Sequence, residues 1–60
     1  MEQRDKFIAA AHEMQRTGGG FASALAEAFF RADALNKRKL LAAFGDLFEE
    51  YARIALDRSE

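Results

Sequence analysis

Apolar residues recur along this chain at helical intervals, and three such runs can be separated. Phe7, Ile8, Ala11 and Met14 stand at i, i+1, i+4 and i+7, the spacing that gathers side chains on one face of an α-helix. They predict a first helix over 3–17. Glu2 and Asp5 near its amino end and Arg16 near its carboxyl end each sit on the favourable side of the helix dipole. Gly18 follows where a left-handed residue commonly closes a helix, because glycine takes that conformation without a steric penalty.

The second run predicts a helix over 20–34. Phe21, Leu25, Ala28, Phe29 and Ala32 share its apolar face, and Ser23, Glu27 and Arg31 the opposite one. Glu27 and Arg31 stand at the supportive i, i+4 spacing. Phe30 lies about 100° round the helix from Phe29 and widens the apolar face.

A third helix is expected over 36–57, with Asn36 as its N-cap and Leu35 as a hydrophobic staple. Leu40, Phe44, Leu47, Tyr51 and Ile54 follow one another at intervals of 4, 3, 4 and 3 residues, a heptad-like seam too short to define a coiled coil. Phe48 and Ala55 broaden it, and Glu49–Arg53 and Arg53–Asp57 are potential i, i+4 pairs on the polar side. Gly45 interrupts the run, with Asp46 and Glu49 in the order of a capping box. The seam keeps its phase across the glycine, which favours a kink over a break. The expected architecture is therefore all-α, a small bundle of three to four helices forming one domain over 1–60. The end of the chain, Arg58-Ser59-Glu60, is expected to fray.

Composition supports this reading. There is no proline, and Ile8, Thr17 and Ile54 are the only β-branched residues, so a sheet has little to be made from. Sixty residues bury roughly 60% of the surface that the unfolded chain exposes, which leaves a single core marginal. With no cysteine and one histidine, disulfides, thiolate metal sites, a cysteine nucleophile and an imidazole-rich metal site within one chain are excluded. Homodimerisation is left as the expected support. A net charge of −1 and a pI near 5.8 give no general reason to seek nucleic acid or anionic membrane. No signal-peptide pattern or membrane-length apolar run occurs, so a soluble cytoplasmic protein is expected.

Few residues suggest chemistry. Gly18-Gly19-Gly20 is followed by neither the lysine nor the Ser/Thr of a phosphate-binding loop, and no strand precedes it. It reads as a corner between two helices, or as a hinge for helix exchange between subunits. "HEMQR", His12 to Arg16, opens like a zinc-protease motif but has arginine where the second histidine belongs. Glu49 and Glu50 point about 100° apart on a helix and do not form a hydrolytic pair. No catalytic, cofactor-binding or metal-ligating residue is assigned, and the chain is not expected to be an enzyme.

Lys37, Arg38 and Lys39 set three cations at the expected positive end of the third helix, against its dipole. Residues 36–44 carry +3 and residues 45–60, with two basic and five acidic side chains, carry −3. The cations can cap the preceding helix, or meet an acidic protein surface or nucleic acid. A helix-turn-helix with recognition helix from Asn36 is the alternative, weakened by a turn without glycine and the run "LLAAF" that follows. The aromatic set Phe7, Phe21, Phe29, Phe30, Phe44, Phe48 and Tyr51 is expected mainly in the core. Phe30 and Leu41 lie off the main stripes and are the candidate contact residues, with Lys37, Arg38 and Lys39 at the rim.

The segments "GGGFASALAEAFFRAD" and "LLAAFGDLFEEY", within Phe7–Tyr51, resemble small helical proteins encoded by tailed phages and bacterial prophages. The resemblance carries over no catalytic or binding residue. It implies expression in the bacterial cytoplasm and a role in binding and modulating a host or phage protein.

Overall fold

The two corners of the chain decide how its helices can meet. The structure, a computed structural model, describes residues 3–58, with side chains from Lys6 onward. Glu2, the side chain of Asp5, and the tail residues Ser59 and Glu60 lie outside the described residues, and so do the expectations placed on them. Three helices occur among the described residues: α1 (Gln3–Thr17), α2 (Gly19–Arg31) and α3 (Ala34–Arg58), with no strand.

At the first corner the Gly18 N–H donates to the Met14 carbonyl at 3.0 Å, so the helical hydrogen bonding of α1 runs on through Gly18. The left-handed residue is Gly19, with φ of 77°, rather than Gly18. Gly18 is required for a different reason. A β-carbon there would stand 2.5 Å from the Ala22 Cβ and 2.6 Å from the Met14 carbonyl oxygen. The corner is tight because α2 starts in contact with the end of α1. A β-carbon on Gly20 would meet nothing within 4 Å.

At the second corner α2 stops where Ala32 turns extended (φ −76°, ψ 147°). Asp33 then caps α3: its Oδ1 accepts from the Asn36 N–H at 2.9 Å, and its carbonyl accepts from the Lys37 N–H at 2.8 Å. The expected N-cap Asn36 is thus three residues inside the motif, since a carboxylate at position 33 serves the positive helix end better. Lys37–Lys39 fall beyond the first turn, where the dipole has decayed, which removes most of the conflict expected from the sequence.

Helix α3 bends without breaking. Phe44 leaves helical geometry (φ −123°, ψ 26°) inside an otherwise continuous helix. The bend lies one residue before Gly45, next to the weakest helix former in the segment.

Helix α1 is the shared support. Both α2 and α3 pack extensively on it and touch each other little. The buried cluster comprises Phe7, Ala10, Ala11 and Met14 of α1, Ala22, Leu25, Ala26 and Phe29 of α2, and Phe48 and Ala52 of α3. Phe48 is fully buried and meets Phe29 at 5.0 Å between ring centroids and Phe7, edge-on, at 6.3 Å. Helix α2 buries Leu25 and Phe29 as expected, but its buried face is turned partway round from the expected one. Ala22 and Ala26 are buried, whereas Phe21 is 66% exposed and Ala28 lies outside the core. Alanine pairs with the small side chains Ala10 and Ala11 of the same cluster, and small residues let two helices approach where a phenylalanine would hold them apart.

Among the described residues two ion pairs tie α3 to α1. Lys6 Nζ lies 2.7 Å from Glu49 Oε1, so Glu49 reaches across to α1 instead of pairing along α3 with Arg53. Glu13, 5% exposed, meets Arg58 Nε at 3.4 Å, and the Thr17 hydroxyl stands 3.4 Å from its Oε2. A buried carboxylate needs such partners to offset its lost hydration. The Glu27–Arg31 pair forms within α2 as its spacing predicts, at 3.2 Å.

The glycine corner yields an ordered prediction for denaturant unfolding. Gly19→Ala should cost about 1–2 kcal/mol through its left-handed backbone. Gly18→Ala should cost about 1–3 kcal/mol through overpacking. Gly20→Ala should instead stabilise by about 0.4–1 kcal/mol. A most harmful effect at Gly20 would contradict this corner geometry.

Candidate interaction surface

The groups singled out for chemistry are dispersed. His12 is exposed and lies against Phe30, with ring centroids 4.8 Å apart, and Glu49 is engaged by Lys6. Among the described residues no group of three or more His, Cys, Asp or Glu side chains is placed to hold a metal ion. What the fold does assemble is apolar surface.

The five candidate contact residues divide into two sets. Phe30 is half-buried, between His12 and Phe29 (6.3 Å between the phenylalanine centroids). Leu41 is half-buried and packs on the core. Lys37 lays its ammonium over the Phe29 ring, 5.5 Å from the centroid, a cation–π contact that fixes it to the protein. These three sit at the margin of the core, Phe30 and Lys37 beside Phe29. Arg38 and Lys39 are exposed, and among the described residues neither has an ion-pair partner.

The larger exposed side chains lie elsewhere. Phe21, Leu35, Phe44, Ile54 and Leu56 are the exposed large hydrophobic residues. Phe21 and Phe44 meet in a T-shaped contact at 6.0 Å, so two rings expected inside form one aromatic pair on the surface. The reason is visible in α3, which carries two apolar seams with the same 4, 3, 4, 3 spacing. One is Leu41, Gly45, Phe48, Ala52 and Ala55: Phe48 and Ala52 are buried and Leu41 packs on the core, while Gly45 and Ala55 are half-buried and a β-carbon on Gly45 would meet nothing within 4 Å. Leu40, Phe44, Leu47, Tyr51 and Ile54, the seam read from the sequence, are offset by one residue, about 100° round the helix. Leu40, Leu47 and Tyr51 brace against the edge of the core, while Phe44 and Ile54 are exposed. Every seam residue except Gly45, Ala52 and Ala55 is large and apolar, so choosing the burial side from side-chain size favours the wrong seam.

On the opposite side of α3 runs a groove of about 520 Å³ against α1. Its walls are Ala9, Ala52, Ala55 and Leu56, and Lys6, Glu49 and Arg53 complete its lining. The Lys6–Glu49 pair bridges the two helices there. Two of the three charged groups in its lining, Lys6 and Glu49, are spent on each other.

Comparison with known proteins finds no match. No family model, curated protein or solved structure matches the chain, and the phage resemblance gains no support from these comparisons. No helix among the described residues is long and apolar enough to cross a membrane.

The division between core margin and surface can be read from unfolding at concentrations low enough for a single chain. Phe30→Ala should lower stability by about 1–2 kcal/mol through lost burial. Phe21→Ala should change it by less than about 0.5 kcal/mol. Equal effects of the two substitutions would overturn the division.

Proposed function

We propose that the chain is a non-enzymatic helical protein–protein interaction module whose contact surface is the outer seam of α3 together with Phe21. The carrying observation is the Phe21–Phe44 pair, two rings in contact on the surface of a chain this small. Aromatic side chains supply much of the energy of protein interfaces, and contiguous exposed apolar area on a small domain marks a surface that another molecule covers. The seam continues this pair along α3 to Ile54. The phage resemblance suggests an accessory protein of the bacterial cytoplasm that binds and modulates a host or phage protein. A nucleic-acid reading is less well served, because Lys37 is held over Phe29 and only Arg38 and Lys39 of the basic triplet are exposed.

The test compares wild type with Phe21→Asp and Ile54→Asp, checking helical content by circular dichroism and association by sedimentation and by cross-linking in a bacterial extract. Both variants should keep wild-type helicity and lose association, whether with themselves or with another protein. Unchanged association in both experiments would sink the reading.

A further inference from the structure

We propose that the occupant of this seam is a second copy of the chain, docked with the two α3 helices antiparallel about a two-fold axis near Leu47. The inference rests on the interaction-module reading and adds the partner and its orientation. It is carried by charge complementarity along one helix. Arg38 and Lys39 are exposed near the amino end of α3, and Asp46, Glu50 and Asp57 are exposed towards its carboxyl end. None of these five belongs to an ion pair within the described chain, whereas Glu49 and Arg58 are already engaged by Lys6 and Glu13. Among the described residues Arg53 is the one unpaired cation between these acidic positions of α3.

Glu50 and Asp57, both beyond the bend at Phe44, lie within about 20° of each other on the outward flank of the seam, and Lys39, before the bend, directly precedes the seam residue Leu40. The outward edge of the apolar strip is therefore basic at Lys39 and, but for Arg53, acidic from Asp46 to Asp57. A two-fold contact presents the same patch on both chains, so only an antiparallel arrangement sets the basic end of each strip against the acidic end of the other. With helix midpoints near Leu47, Lys39 of one copy falls close to Asp57 of the other. In a parallel two-fold arrangement the outward edges of the two copies lie on opposite sides of the contact, and this pairing is lost. The strip from Leu40 to Ile54 spans about 21 Å, and Phe21 extends it onto α2 through its contact with Phe44. Sealing it would cover the exposed aromatic pair and brace the half-buried Leu40, Leu47 and Tyr51, which a chain of this length has few other means to shield.

The chain contains no cysteine, so introduced thiols report without background. Sedimentation equilibrium of wild type should give a dimer mass that Phe21→Asp and Ile54→Asp abolish. Lys39→Glu should weaken the dimer by about three- to tenfold at low salt through two symmetric rim pairs, and Lys39→Glu combined with Asp57→Lys should restore it. Under mild oxidation Leu47→Cys should cross-link to its own copy. Lys39→Cys and Asp57→Cys should each fail alone and cross-link when mixed. A monomer mass up to about 1 mM would overturn the second-copy proposal; the interaction-module reading would then still stand if Phe21→Asp lost contact with another protein. A dimer indifferent to Phe21→Asp and Ile54→Asp would sink the proposal, and the module reading as well if contacts in the extract were equally unchanged. Failure of mixed Lys39→Cys and Asp57→Cys to cross-link while the dimer stays intact would overturn the orientation.

Discussion

Phe48 is the side chain on which the three helices depend. It is fully buried, and its ring meets Phe29 of α2 and Phe7 of α1. Since α2 and α3 otherwise touch little, this aromatic junction is where the three elements become one core instead of two helix pairs sharing α1. Its position fixes the rotation of α3. Once Phe48 and Ala52 face inward, helical geometry sets the residues one step before them, Leu47 and Tyr51, at the edge, and Phe44 and Ile54 outside. The surface seam is thus a consequence of how the core is made.

The tight corner imposes the second constraint. Gly18 lies against Ala22 so closely that a β-carbon would overlap it, which brings the start of α2 onto α1. Helices that meet this closely need small residues at the contact, and the cluster has Ala10, Ala11, Ala22 and Ala26 buried together. The cost is hydrophobic area, since an alanine buries far less than a phenylalanine. Phe29 and Phe48 make up much of the loss. Phe21, one residue before Ala22, is turned away and finds Phe44.

Helix composition, two corners and the kinked third helix were legible in the sequence, because each follows from local chemistry: helix formers throughout, glycine at one reversal, and a seam that holds its phase past Gly45. The finer placements depended on contacts between segments. Nothing local tells that Gly18 is crowded by Ala22 while Gly19 takes the positive φ. The choice of Asp33 over Asn36 as N-cap turned on where α2 stopped, at Arg31 rather than Ala34. Of the candidate contact residues, Phe30 and Leu41 were picked for lying off the apparent stripes; on α2 and α3 the stripes themselves are shifted by about one residue, so these two fall at the core margin. The signal that could have separated the two seams of α3 was the alternation of large and small residues. Ala52 marks the side that packs into the core, although at Gly45 on the same stripe a β-carbon would meet nothing within 4 Å.

That alternation also bears on why the outer seam is so apolar. A monomer would be served by polar residues at positions 44 and 54, where 36% of Phe44 and 37% of Ile54 remain exposed. Helix propensity does not call for phenylalanine or isoleucine there, since both rank below the charged and amide residues that suit an exposed helix face. The bend at Phe44 adds a local departure from helical geometry at the point where the seam is joined to Phe21. Exposed apolar positions, a helix distortion beside them and unpaired charge of opposite sign at the two ends of α3 each go against what a solitary helical domain would favour. They agree with one another if the seam is a surface that a partner closes.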